Sequence, residues 1–366
     1  MPSKTLRARS VLPALARGAL PWGFILSALG LLALGCGSET SSAGQGAAAG
    51  AAGSAAQGGG AAQGGGAAQG GSAASAGQGG AAHAGSAGQG GSGGSTQPQG
   101  CPTFDPAVSG GDIANPKINE ASGLAVSRKQ AGVFWVHNDS GDSPRVFAVS
   151  SSGADLGEFS LTGAQAIDWE DMALGPGSQA GTDYLYLGDI GDNSAKRSSV
   201  QVYQVAEPVV QGGGAQALSG VVTLELEYPD GPHNAEALLS DPITGDLLIV
   251  TKGLGSSGIY RAAAPHAAGR RTLEYQGDAL GVTLQLVTGG DISASGDLIA
   301  LRTYSAVRVY LRKPGMSVAD ALKTEPCEAP QPDEGQGETV GFSPTADAFY
   351  TLSEGVAQPL LRFARQ

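Results

Sequence analysis

The chain has 366 residues, 60 of them glycine, and its 33 acidic against 21 basic side chains give a formal net charge of −12. A surface this acidic repels nucleic acid and anionic lipid headgroups, which argues against both as partners and favours a metal cation or a cationic ligand.

Lys4, Arg7, Arg9 and Arg17 make a cationic start, an apolar stretch spans 19–35, and the stretch ends in Leu32-Ala33-Leu34-Gly35-Cys36. Charge, apolar core and small-residue exit in that order form a secretion signal. A permanent membrane helix is the competing reading, but Pro21 and Gly23 cut the clean apolar run to 24–35, short of the roughly 20 residues a span needs. The segment resembles the lipobox of bacterial lipoproteins. That resemblance implies that residues 1–35 are a removable signal peptide and that acylated Cys36 anchors the chain to a membrane. The expected location is the cell envelope, at the outer membrane or its periplasmic face. Loss of the four basic leader residues takes the net charge from −12 to −16.

Residues 36–100 follow as a linker of almost only Gly, Ala, Ser and Gln, with near-repeats such as Ala55-Ala56-Gln57-Gly58-Gly59-Gly60. Without branched or aromatic side chains there is too little apolar area to offset the entropy of ordering, so disorder is expected. A Gly-rich coil of about 64 residues has an r.m.s. reach of roughly 45 Å. A domain beyond it is tethered to a membrane without having to touch it.

Residues 101–366 carry short apolar runs separated by Gly, Pro, Asp and Asn, at 133–136, 146–149, 184–187, 200–205, 221–226, 247–250, 298–301 and 307–311. This spacing predicts an all-β domain. An internal repeat narrows the choice between a sandwich and a propeller. Five times an acidic residue opens a short strand, at Glu120, Glu170, Glu236, Asp291 and Glu338, with intervals of 50, 66, 55 and 47 residues. More apolar strands follow at 133–138, 184–188, 247–251, 298–302 and 348–353. Such intervals suit four-stranded blades with one long insertion around 211–219, and predict a β-propeller of five blades, six being the alternative count. The last repeat has room for three strands, so residues near 103–108 are expected to supply its outer strand and remove the sheet edge. With Cys36 used by the anchor, Cys101 and Cys327 are expected to pair across that closure, two free buried thiols being the alternative.

The openings Asn119-Glu120-Ala121-Ser122-Gly123-Leu124, Asp168-Trp169-Glu170-Asp171-Met172-Ala173 and Asn234-Ala235-Glu236-Ala237-Leu238 resemble those of SdiA-regulated periplasmic propellers and of the esterase-like phytase domain. The acids at roughly fifty-residue intervals are also similar to calcium-dependent apyrases, five-bladed propellers with a calcium ion in the channel. The resemblance implies the fold first. The sequence lacks the basic nucleotide-binding signature of the apyrase kind.

In a propeller the first strand of each blade lines the channel, so Glu120, Glu170, Glu236, Asp291 and Glu338 are expected to converge on one mouth. Either a hard cation such as Ca²⁺, which takes six to eight oxygens, sits among them, or they stay solvated and bond to backbone amides. Two acidic turns, Asn138-Asp139-Ser140-Gly141-Asp142 and Asp189-Ile190-Gly191-Asp192-Asn193, fall on the same face, with Lys252 and Glu354 at matching places. They read as Asx turns or loose calcium loops. His137 and His233 are candidate general bases or plain loop histidines. Trp135 and Trp169 read as packing residues, and Arg145 and Arg197 as internal partners of the acidic turns. No phosphate loop, nucleophile elbow or zinc cluster is present. The resulting expectation is a monomeric, membrane-anchored binding module for a small-molecule or protein ligand, with Ca²⁺ in its channel. The alternative is a metal-dependent hydrolase of phosphate or carboxylate esters.

Overall fold

The computed structural model describes residues 100–366 apart from Pro332. The leader, Cys36 and the linker lie outside the described residues. Strand β1 (Val108–Asp112) comes first, and the chain then builds four sheets in succession. Blade one holds β2 (Ala121–Val126), β3 (Val133–Asn138), β4 (Arg145–Ser150) and β5 (Asp155–Leu161). Blade two holds β6 (Trp169–Pro176), β7 (Asp183–Asp189) and β8 (Val200–Ala206), then, after β9 (Ala215–Leu218), β10 (Val222–Glu227). Blade three has β11 (Ala235–Ser240), β12 (Leu247–Thr251) and β13 (Gly258–Ala262), then, after β14 (Gly269–Thr272), β15 (Glu274–Asp278). Blade four has β16 (Val287–Ile292), β17 (Leu298–Thr303) and β18 (Ala306–Leu311), then, after helix α1 (Val318–Leu322), β19 (Cys327–Glu328). Blade five is β20 (Gly341–Phe342), β21 (Ala348–Thr351), β22 (Pro359–Ala364) and, as its outer strand, β1.

Five sheets make a five-bladed β-propeller. Their strands are apolar on both faces because each blade packs between two others. Val133 and Trp135 of β3 point into a cluster shared with Trp169, Leu185 and Tyr203 of blade two. The alternate residues Phe134 and Val136 point the other way, toward Leu352 and Leu360 of blade five. Three more clusters fill the joints between blades two and three, three and four, and four and five. One apolar cluster per joint is what a closed ring requires. Trp135 and Trp169 are fully packed, their ring N–H groups donating to Glu207 Oε1 and the Gln165 carbonyl at 2.9 and 2.8 Å.

Outer edges are covered by one repeated device. The connection from third to fourth strand of a blade reaches back to the preceding blade. It supplies β9 to β5 and β14 to β10, both as parallel fifth strands, and α1 against β15. The insertion expected at 211–219 is thus an edge strand, which blunts unpaired backbone at the rim.

Ring closure departs slightly from expectation. The outer strand of blade five is β1, paired antiparallel with β22 from Val108 opposite Arg362, while the earlier stretch contributes one bridge, Phe104 to Arg365. The reason is steric. The β4–β5 turn lies against β1 so closely that a Cβ on Gly110 or Gly111 would fall on the carbonyls of Ser151 and Ser152, so pairing is favoured where glycines let the backbones meet. Cys101 and Cys327 are disulfide-bonded with their Cα atoms 5.4 Å apart. Because Cys327 sits in β19, the bond fastens the entering chain to blade four, next to the blade it closes.

At the axis, the buried carboxylate of Asp171 on β6 ties three blades together. It accepts amide hydrogens from Met172, from Leu238 of blade three at 2.9 Å and from Gly290 of blade four at 3.0 Å. Burial pushes this carboxyl well up, against the pull of those three donors. Asp171→Ala leaves two buried N–H groups of other blades without an acceptor. A stability loss of about 3 kcal/mol is expected by chemical denaturation; a loss below about 1 kcal/mol would contradict this role.

Candidate metal centre at the channel mouth

The innermost strand of each blade carries one residue too many for its partner. Pairing slips between Ala121 and Gly123, Trp169 and Asp171, Ala235 and Ala237, and Val287 and Gly289. In blade five Glu338, Thr339 and Val340 lie between pairings whose other side holds only Thr351 and Leu352. The extra residues are Ser122, Glu170, Glu236, Thr288 and Glu338. A bulge breaks the in–out alternation and re-aims a side chain, and here it defines the inner ring of the mouth.

Three of the five acids anticipated from sequence occupy that ring. Glu170, Glu236 and Glu338 are 3, 3 and 4% exposed, and the charge of Glu236 and of Glu338 is felt at Glu170. The other two do not join them. Glu120 precedes β2 and is exposed, its carbonyl accepting the Asp139 N–H as those of Asn234 and Gln336 accept from Lys252 and Glu354. The bulge residue of blade one is therefore Ser122, whose hydroxyl donates to the Glu170 carbonyl. Asp291 lies three residues beyond Thr288 and is consumed by amides, from Ile292 at 2.8 Å and from Phe342 of blade five at 2.7 Å, beside Arg128. Burial raises it to about 6. Counting acids along the chain aligned the repeats, but the bulges set the phase, and both departures follow from that.

The mouth gains acids from its loops instead. Asp139, Asp168 and Glu170 place carboxylate oxygens within 4.8 Å of one another, and so do Asp139, Glu338 and Glu354. Asp139 belongs to both groups. Two oxygens bound to one calcium at 2.3–2.6 Å can be separated by up to about 5 Å, so either group fits that ion. Asp189, by contrast, is fully buried and structural, accepting amides of Ile167 and Asp168 and pairing with Arg197 at 2.8 Å. Arg145 likewise pairs internally, with Asp142 at 2.6 Å and Glu158 at 2.9 Å.

Lys252 makes the mouth asymmetric. Its ammonium lies 2.5 and 2.6 Å from the two oxygens of Glu236 and donates to Tyr304 Oη at 2.8 Å, and Tyr304 in turn donates to Glu338 Oε1 at 3.3 Å. That chain compensates the blade three and four side. Glu338 is served besides by the Ser122 hydroxyl and feels the charge of Lys252, both opposing the upward push of burial. Burial, then the neighbouring charges, raises Glu354 to about 8. Burial, opposed by Lys252, leaves Glu236 at about 7. Glu170, Glu338 and Asp168 are raised as well, burial being the largest cause in each.

Neither histidine reaches this centre. His137 is fully buried beneath Trp169, its Nδ1 2.8 Å from the Asn138 carbonyl, and desolvation lowers its pKa, so it is a neutral packing group. His233 is held by Asp230 at 3.0 Å and Tyr260 at 2.9 Å, outside the acidic groups. The general-base role considered for them has no geometric support.

No family model matches the sequence, and no curated protein matches it. Among solved structures, the chain is similar to the PQQ-bound aldose sugar dehydrogenase of Streptomyces coelicolor at 12% identity, over 73% of this chain and 100% of that one, with a TM-score of 0.42. It is similar to the glutaminyl cyclase of Myxococcus xanthus at 11% identity over 73% and 100%, TM-score 0.42. It is also similar to a gluconolactonase of Xanthomonas campestris at 13% identity over 74% and 96%, TM-score 0.39.

The raised carboxyls fix the sign of a pH effect. A carboxyl whose folded pKa exceeds its unfolded value of about 4.5 contributes stability that is present below that value and lost as pH rises through the folded one. With a chelator present, stability should fall between pH 5 and 8 by on the order of 2 kcal/mol, counting Glu236 and discounting the half-exposed Glu354. Glu236→Gln and Glu354→Gln should each flatten the fall in pH-dependent denaturant melts. A flat wild-type profile over that window would remove the argument.

Proposed function

We propose that the chain is an exported lipoprotein, anchored through Cys36 and monomeric, whose propeller is a binding module organised by Ca²⁺ at the channel mouth. The observation that carries the cation is Asp139, shared by two groups of carboxylates that include the buried Glu170 and Glu338. Asp139, Glu338 and Glu354 are the preferred ligands, with Asp168 and Glu170 opposite. A divalent ion there would offset the mutual repulsion of these carboxylates, and hard oxygen donors suit calcium. The leader reading supports the location: an export signal, an acylated Cys36 and a linker of roughly 45 Å r.m.s. reach put an acidic propeller outside the cytoplasm, where millimolar calcium makes weak sites useful.

Binding is preferred to turnover because the hydrolase alternative, phytase-like or apyrase-like, is left without the two imidazoles nominated as proton carriers. The likeness to SdiA-regulated and phytase-type propellers rests on strand openings, which bear on the fold more than on chemistry.

Calorimetric titration of chelator-treated protein with CaCl₂ tests the reading. A dissociation constant of roughly 10⁻⁴–10⁻³ M is expected, as for extracellular calcium modules. Asp139→Asn should weaken it more than about tenfold, whereas Asp155→Asn, on the outer strand of blade one, should leave it unchanged. No heat and no thermal shift up to 10 mM CaCl₂, or equal losses in both variants, would refute the proposal.

A further inference from the structure

Beside the mouth, between β13, β15 and the loop that precedes β11, a polar cleft of about 310 Å³ opens to solvent. None of the carboxylates grouped at the mouth lines it. Its wall is aromatic and acidic. Tyr260 forms the floor, with the ring of Tyr275 5.3 Å away and that of His233 5.2 Å away on centroids, and Tyr228 packs edge-on beneath at 4.8 Å. Tyr275 is 49% exposed. Two carboxylates flank these rings. Asp230 takes the Tyr260 hydroxyl at 2.8 Å and His233 Nε2 at 3.0 Å, and Asp278 takes the Tyr275 hydroxyl at 2.8 Å.

The balance of donors and acceptors selects the ligand. Tyr260 and Tyr275 spend their O–H groups on Asp230 and Asp278, Lys252 spends its ammonium on Glu236 and Tyr304, and Asn234 donates to Asn193 and Glu236. What these side chains leave for a guest is carboxylate lone pairs and ring faces, beside the hydroxyls of Ser256 and Thr251 that also line the cleft. A group that only donates and carries positive charge matches both the carboxylates and the aromatic quadrupoles. Both acids act on the same rings: the Tyr275 hydroxyl is held protonated first by its bond to Asp278 and also by the charges of Asp278 and Asp230.

We propose that the cleft lined by Asp230, His233, Tyr260, Tyr275 and Asp278 is a binding site for an alkylammonium or guanidinium group, carried by a free amine or by a basic peptide side chain. The site is separate from the cation centre and does not depend on it.

The test is titration of the full chain, in chelator at low salt, with butylammonium and with a capped lysine amide, read by tyrosine fluorescence and calorimetry. Both probes should bind, the tighter one identifying the source, and 1-butanol should not. Asp278→Asn should weaken binding about tenfold, the loss of one charge-assisted contact. Tyr275→Ala should weaken it about two- to fivefold, the loss of one exposed cation–π contact. Both positions lie on an outer strand, and unchanged circular dichroism and melting temperature would show that the variants fold. Asp139→Asn should leave amine binding intact. Binding of butanol as tight as that of the amine, no amine binding by wild type at 10 mM, or loss in Asp139→Asn but not in Asp278→Asn would overturn the proposal.

Discussion

Carboxylates crowded at the axis of a ring repel one another and lose hydration, and the fold depends on how each is compensated. Three solutions coexist within this propeller. Asp171 and Asp291 are answered by backbone amides donated across blade boundaries, so these carboxyls stitch the ring together. Glu236 is answered by the ammonium of Lys252. The group around Asp139, Glu338 and Glu354 is answered only in part, by the Tyr304 and Ser122 hydroxyls and the charge of Lys252 at Glu338. The first two are structural devices; the third is the candidate cation site.

The position of the site follows from strand geometry. A regular inner strand would alternate its side chains between the two adjoining blades, leaving none directed at the channel. A bulge at the start of each inner strand breaks that alternation, and the selected residues vary as Ser122, Glu170, Glu236, Thr288 and Glu338. Two hydroxyls among three acids lower the repulsion of the inner ring. The loops after the second strands then set the local charge, acidic at Asp139 and Glu354, basic at Lys252, aromatic at Tyr304. A pseudo-symmetric scaffold thus carries an asymmetric mouth.

Fold and site were legible to different depths. Apolar runs at strand length, an acid roughly every fifty residues and a last repeat short of one strand were enough for five blades and for closure by the chain's start. The register of that closure was hidden, because it depends on the close approach of Gly110 and Gly111 to the Ser151–Ser152 turn, a contact made across more than forty residues of sequence. Glu170, Glu236 and Glu338 could be read as converging because they happen to stand at bulge positions. Glu120 and Asp291 could not be told from them, since a one-residue slip in pairing leaves no mark in composition. Glu354 was placed on this face by its position after the second strand of its repeat, whereas Asp168 stood only within the opening Asp168-Trp169-Glu170. An available clue was that Asp139 and Glu354 each follow the second apolar strand of their repeat. The cleft at Tyr260 and Tyr275 had no signal, because its walls come from segments about thirty to forty residues apart with no shared pattern.

The central proposal is that bulged inner strands and the adjoining loops bring carboxylates together at the mouth, where a hard cation would bind. Anomalous diffraction from crystals grown with a calcium-mimicking lanthanide tests it directly. The account predicts one strong peak at roughly 2.3–2.6 Å from oxygens of Asp139 and of Glu338 and Glu354, or of Asp168 and Glu170, on the side of the channel away from Lys252. A mouth without a peak, or a peak bound only by Glu120 or Asp291, would contradict it.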